Sequence, residues 1–183
     1  MAVVAARAAR AMNRPLPRFC PQCGAPLTLR ERFGRPRPVC TLCDHTVFID
    51  PKVAVVILVT RSDEVLLVQR VHDPGRGNWA LPAGFIDPDE DPRAAALRET
   101  REETGLEVEI TGLIGLFHRP DPDGLADLVI AYSAMPVGGV LCAGDDASAA
   151  RWFGAAALDT VPTALATTEG LLAWWRARLE PNL

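Results

Sequence analysis

The sequence predicts a mixed α/β chain of the α+β kind. A strand-rich body with one central and one terminal helix follows a small cysteine-held ribbon. Three observations predict it. The run Val53–Thr60, VAVVILVT, is apolar and largely β-branched, the pattern of a strand buried on both faces. The stretch from Asp91 to Gly105 opens on a capping aspartate and a proline and closes on a glycine, the punctuation of a helix. Two Cys-x2-Cys pairs, Cys20/Cys23 and Cys40/Cys43, stand ahead of both, with sixteen residues between the pairs.

In chain order, residues 1–19 read as a frayed or short helical extension ended by Pro15 and Pro17. The ribbon is expected over 20–49. Thiol pairs at this spacing form a closed four-thiolate structural zinc site from Cys20, Cys23, Cys40 and Cys43. Gly24 lets the backbone turn back toward the metal. Leu27–Arg32 and Arg37–Val39 form a hairpin around Gly34. The alternative, two disulfides, needs an oxidising compartment that nothing in the sequence supports. Ribbons also bind nucleic acid, and the local arginines permit it. Phe33 is the one aromatic between the pairs, however, so no stacking platform is expected and nucleic acid is not expected as a partner.

A larger domain is expected over 50–183. After Val53–Thr60 the chain turns at Arg61–Glu64, and Val65–Arg70 returns as the partner strand. His72–Gly77 is a Pro/Gly loop, and Asn78–Ala83 leads into Gly84. Pro92 begins the central helix where its missing N–H costs nothing, Asp91 caps it, and Gly105 ends it in the left-handed conformation. Further strands are expected near Glu107–Ile110, Leu113–His118, Leu128–Met135 and Ala150–Phe153. Residues 169–180 carry Leu171, Leu172, Trp174, Trp175 and Leu179 at helical spacing, a closing helix whose tryptophans belong to the core. Cys142 reads as a small core residue.

Composition sets the outer bounds. The 183 residues are 49% hydrophobic and 23% charged, ordinary globular usage with room for one core and an accessory module. The net charge of −4 hides an asymmetry, since residues 1–43 carry +7 and residues 44–183 carry −11. The N-terminal part can meet phosphate or an acidic surface, while the body repels bulk nucleic acid. No run of 18 apolar residues exists, so a membrane span is excluded. Arg7 and Arg10 break the only stretch resembling a signal core, and a cytoplasmic location is expected.

The chemistry concentrates in Arg98-Glu99-Thr100-Arg101-Glu102-Glu103. On a helix, Glu99 lies three residues from Glu102 and four from Glu103, so three carboxylates share one face and repel. Ala95 and Ala96 lie beside them, with Leu97 and Thr104 on the opposite side. A cation would remove the repulsion. Hard oxygen ligands without His or Cys suit Mg²⁺ or Mn²⁺. An isolated cluster of this kind is ordinarily a solvated face. Here, however, the surrounding letters fit G-x5-E-x7-R-E-U-x-E-E-x-G-U, U being apolar: Gly84, Glu90, Arg98, Glu99, Glu102, Glu103, Gly105 and Leu106. Chance would produce the seven fixed letters on the order of once in 10⁸ windows. Thr100 at the first apolar position is the one soft departure. The chain therefore resembles a Nudix hydrolase.

The resemblance implies the Nudix fold, a mixed sheet sandwiched between helices, and hydrolysis of a pyrophosphate. It implies Glu99, Glu102, Glu103 and the Gly84 carbonyl as ligands of Mg²⁺ or Mn²⁺. Arg98 and Glu90 stand behind them and orient the carboxylates, and Glu99, Glu102 and Arg98 are the catalytic candidates. The general base stays open between Glu99, Glu102 and an acid of a later loop. There Asp146 sits where the family often places an extra acidic ligand, although an aspartate in a Gly-rich turn is an equal reading.

Substrate signals lie outside the box. A zinc ribbon ahead of the box also marks the NADH pyrophosphatase branch, but its Ser-Gln-Pro-Trp-Pro-Phe-Pro run has no counterpart in residues 107–140. Pro122, sixteen residues past Leu106, and Leu81-Pro82-Ala83-Gly84 resemble ADP-ribose and FAD hydrolases. The expected reaction converts an ADP-X compound to AMP plus X-phosphate. The alternatives are house-cleaning of nucleoside triphosphates, NADH hydrolysis, and a non-catalytic nucleotide-sensing or nucleic-acid-binding module. Pro122, Phe85 and Phe117 are candidates for substrate selection. Trp79 and Tyr132 could also stack on a base, with a core role the simpler reading for each. A nucleotide-sized small molecule is the expected partner, and many relatives pair as dimers, so the resemblance implies a homodimer.

Overall fold

A computed structural model describes residues 15–118 and 126–179. The chain divides into two compact units at Pro51/Lys52. In the first, β1 (Leu27–Arg32) pairs antiparallel with β2 (Arg35–Cys40). The two-residue loop Phe33-Gly34 joins them, with φ 52° and 72°.

The second unit is built on β3 (Val53–Arg61). Its two faces enter two different cores, which is why the run is apolar throughout. Val56 and Leu58 pack with Leu81, Val129, Leu171, Leu172 and Trp175. Val55, Ile57 and Val59 pack with Ala95, Ala96, Leu106 and Val108. The first core lies under the closing helix, α2 (Ala166–Leu179), and the second under the central helix, α1 (Pro92–Thr104). The sheet is thus held between helices, as expected.

The sheet is mixed. β3 runs parallel to β8 (Leu128–Gly139) and antiparallel to the short β6 (Ala83–Phe85), while β8 pairs antiparallel with β7 (Leu106–His118). β4 (Glu64–Arg70) pairs with β5 (Trp79–Ala80) and β9 (Ala147–Gly154). This corrects one expectation. β4 returns as the partner of β3 at only two pairs, Thr60↔Val65 and Arg61↔Glu64. Beyond them β3 takes β6 and β8 as neighbours and β4 takes β5 and β9, so each strand can serve both cores.

Two further expectations change. The strands near Glu107–Ile110 and Leu113–His118 are one continuous β7, with register shifts that carry it across Thr111-Gly112. Cys142 is exposed rather than a core residue. The helix signals hold. Asp91 accepts from the backbone N–H groups of Arg93 and Ala94, Pro92 occupies the first turn, and Gly105 is left-handed at φ 68°. Such a cap contributes about 1 kcal/mol. α2 begins three residues earlier than its apolar spacing indicates, because Thr167 and Thr168 are buried at its start. Trp175 is buried in the first core, and Trp174 is partly buried against it. Trp79 and Tyr132 are also core residues. Among the described residues no helix is long and apolar enough to cross a membrane.

Candidate functional site

The acidic pole forms where α1 lies over β6. Glu99 and Glu103 face the sheet and are buried, at 8% and 4% exposure, while Glu102 stands at the rim. Thr100, the departure from an apolar letter, is fully buried. Its hydroxyl donates to the Ala96 carbonyl at 2.8 Å, which satisfies the one polar group that a valine would lack. Thr104 is buried as well, donating to the Thr100 carbonyl, so the helix face away from the carboxylates is only partly outward. Leu97 and Arg101 are exposed there.

Arg98 organises the pole. Its Nε and Nη2 each donate at 2.8 Å to one oxygen of Glu90, a two-pronged pair. Nη1 donates to Glu99 at 2.7 Å and to Glu102 at 2.9 Å. Nη2 also donates to the Phe85 carbonyl at 3.1 Å. Charge-assisted bonds of this geometry fix carboxylate orientation as well as charge. The guanidinium beside Glu90 holds that carboxyl below the usual range. Glu103 is not among the partners of Arg98. It accepts instead from the backbone N–H of Ala83 at 3.1 Å.

Burial, and next to it the charge of Asp146, push the Glu103 carboxyl up to about 9. Burial likewise raises Glu99, against the opposing pull of Arg98. Asp146 thus lies beside Glu103, in the loop before β9. Two buried carboxyls held off their ordinary ionisation by burial and by a neighbouring acid are a donor set suited to a hard cation.

Gly84 explains its own letter. A Cβ built there would lie 1.9 Å from Cδ of Glu99, so the carboxylate occupies the space a side chain would need. Consecutive residues of β6 are thereby stitched to α1: Ala83 through its N–H, Gly84 by close contact and Phe85 through its carbonyl.

A cavity of about 190 Å³ opens next to this pole. Gly84, Phe85 and Asp146 line one part of it and Arg70, Leu165 and Thr168 another. Phe85 is half-exposed, with the Lys52 ammonium 4.9 Å from its ring centre. Phe117 is exposed near the end of β7 and is not among the cavity's lining residues. Pro122 lies outside the described residues. Sequence reasoning missed Arg70, whose Nε donates to the Pro74 carbonyl at 2.9 Å, and missed the contribution of α2. An arginine at the end of a strand, next to the His72–Gly77 loop, was the available signal for the first; the second had none.

In the ribbon unit the four thiols converge. Sγ separations are 3.8 Å for Cys20–Cys43 and 3.5 Å for Cys23–Cys40 and Cys23–Cys43. Tetrahedral bonds of about 2.3 Å to one ion place sulfurs about 3.8 Å apart, whereas a disulfide requires about 2.0 Å. All five cysteines are free thiols. The backbone N–H groups of Cys43 and Leu42 hold the Cys40 thiol down to about 6. Among the described residues this is the one group of three or more His, Cys, Asp or Glu whose donor atoms all lie within 4.8 Å. The carboxylates of the acidic pole are more widely spread.

The chain belongs to the Nudix family: the NUDIX domain family matches residues 50–175. Among curated relatives, an ADP-ribose pyrophosphatase of Methanocaldococcus jannaschii is 36% identical over 110 residues, 60% of this chain and 65% of that protein. An NAD-capped RNA hydrolase, NudC, of Pseudomonas putida is 30% identical over 162 residues, 88% of this chain and 56% of that protein. The chain thus spans less than two thirds of the length of either relative. Among solved structures, a NUDIX hydrolase from Nitrosomonas europaea matches at TM-score 0.78 and 30% identity, over 85% of this chain and 88% of that one. The NUDIX domain of Shewanella oneidensis NrtR complexed with ADP ribose matches at 0.59 and 26%, over 73% and 91%.

The fit around Gly84 yields a direct test. Gly84→Ala must displace the Glu99 carboxylate or the β6 backbone, a cost on the scale of overpacking, about 1–3 kcal/mol. Urea unfolding should show that loss; a midpoint equal to wild type would mean that Glu99 is free to leave the glycine.

Proposed function

We propose that this chain hydrolyses the pyrophosphate bond of an ADP-X compound, ADP-ribose or FAD in the first place, to AMP plus X-phosphate, with Mg²⁺ or Mn²⁺ and in the cytoplasm. The observation that carries the reading is the shared lining: Gly84 and Asp146 belong both to the acidic pole and to the adjoining cavity. A pyrophosphate at the pole leaves the cavity for the rest of the substrate. Glu99, Glu102, Glu103, Asp146 and the Gly84 carbonyl would hold the cations, which when bound neutralise phosphate charge and lower the pKa of a ligated water. Arg98 keeps Glu99 and Glu102 oriented, and Glu90 anchors Arg98. Ala83 fixes Glu103 through its N–H. Phe85, beside the pole, offers a face for a base or ribose. The similarity to an ADP-ribose pyrophosphatase supports this substrate class. The Cys20, Cys23, Cys40 and Cys43 site is proposed as structural zinc, its four thiolates leaving no open position. Exposed Leu113 and Leu116, opposite Tyr132 and Ile130 on one face of the β7–β8 pair, offer an apolar patch for a homodimer.

One observation favours a second reading, cleavage of an NAD-type dinucleotide. The match to the NAD-capped RNA hydrolase covers 88% of the chain, against 60% for the ADP-ribose pyrophosphatase.

Turnover of ADP-ribose, FAD, NADH and nucleoside triphosphates, scored by product, separates the readings. ADP-ribose or FAD is expected to have the highest kcat/KM, with Glu102→Gln losing about 10²-fold or more. NADH as the best substrate selects the second reading, triphosphates as the best contradict both, and an active Glu102→Gln removes the proposed metal site. Metal analysis of the purified protein should find about one zinc per chain, lost in Cys40→Ser. A zinc-free protein with its ribbon intact would contradict that assignment.

A further inference from the structure

The ribbon hairpin carries a surface that the pyrophosphate reaction does not use. Residues directly opposite in an antiparallel pair share a face. Arg30 is opposite Arg37 and Arg32 is opposite Arg35, so four arginines occupy one face of a two-stranded hairpin. Like charges directly opposite one another destabilise the pairing. Asp44 answers two of them, taking Arg30 at 3.3 Å and Arg32 at 2.9 Å. Arg35 remains exposed. Arg37 lies 4.6 Å from the centre of the Phe48 ring.

The aromatic component corrects the sequence-based expectation of a ribbon without a stacking platform. Phe48, beyond the second cysteine pair, stacks on Phe33 with ring centres 5.8 Å apart and planes at 27°. Both rings are open to solvent, Phe33 at 75% and Phe48 at 54% exposure. Phe33 also sits in the hairpin loop at φ 52°. That left-handed position suits Asn, Asp or Gly, and a bulky aromatic there is strained. Strain, solvent exposure and like-charge crowding all cost stability in the isolated unit. A flexible polyanion with flat apolar faces would relieve the last two: phosphates on the arginines and unpaired bases on the rings.

We propose that the face formed by Arg30, Arg32, Arg35 and Arg37, with Phe33 and Phe48, binds single-stranded nucleic acid. The inference is independent of which ADP-X compound the acidic pole cleaves. Single strands are favoured over duplex because a base must be unpaired to stack on an exposed ring.

The test is fluorescence anisotropy with the full-length, zinc-loaded protein and a labelled single-stranded RNA of about twelve nucleotides. A duplex of equal length and a poly-glutamate peptide serve as comparisons. The single strand should bind most tightly, with affinity falling as salt rises. Phe33→Asn separates binding from folding, since Asn suits the loop conformation better. It should hold or raise the melting temperature while weakening RNA binding by roughly tenfold or more, the scale of one lost stack. Phe48→Ala should weaken it similarly, and Arg35→Ala should reduce the log–log salt slope by about 0.7, one phosphate contact on a single strand. Hydrolysis of small ADP-X compounds should be unchanged in all three. Equal binding of duplex, binding unaffected by Phe33→Asn and Phe48→Ala, or tighter binding of poly-glutamate than of RNA would each overturn the proposal. The last outcome would point to an acidic protein instead.

Discussion

At the acidic pole one guanidinium orients three carboxylates, Glu90, Glu99 and Glu102. Glu99, Glu102 and Glu103 lie within one helical face, with Glu90 and Asp146 close by, an arrangement that repels itself. Arg98 offsets part of that repulsion by taking Glu90 in a two-pronged pair and Glu99 and Glu102 through its remaining nitrogen. The same group reaches the Phe85 carbonyl, while Glu103 takes the Ala83 N–H. These two bonds bracket Gly84, leaving its backbone pressed against Glu99. The letters Gly84, Glu90, Arg98, Glu99 and Glu103 are thus one mechanical unit rather than five independent residues.

Much of this was legible in the sequence, for a physical reason. The box is local, and a helix converts spacing directly into a shared face, so the grouping of Glu99, Glu102 and Glu103 followed from residue numbers. The cap at Asp91, the stop at Gly105 and the doubly buried Val53–Thr60 were readable in the same way. What was not legible is non-local. That β4 leaves β3 after two pairs depends on β6, β8 and β9 competing for edges. That Arg98 holds Glu90 and leaves Glu103 to Ala83 depends on where β6 meets α1. The exposure of Cys142 and the buried start of α2 at Thr167 and Thr168 depend on neighbours distant in sequence. Phe48 lies beyond Cys43 and meets Phe33 only through the fold, which is why counting aromatics between the cysteine pairs missed the stack.

The chain keeps two kinds of candidate metal donor in separate units. Soft thiols sit in the small unit. Among its described residues few side chains are buried, Cys20, Val39 and Cys40 among them, so a metal held by the four sulfurs would supply what burial does not. Hard carboxylates sit in the large unit, where two cores already fix the scaffold and the acids are free to be arranged for a ligand rather than for stability. Buried acid at Glu99 and Glu103 is a cost that such a scaffold tolerates.

The central claim is that the fork geometry of Arg98, not only its charge, assembles the acidic pole. Lysine keeps the charge and loses the fork. Calorimetric titration of Mn²⁺ into wild type and Arg98→Lys tests this directly. A loss of roughly 10–100-fold in affinity, with the fold intact by circular dichroism, is the expected result. Equal affinity in the two proteins would show that the carboxylates find their places without Arg98 and would contradict the account.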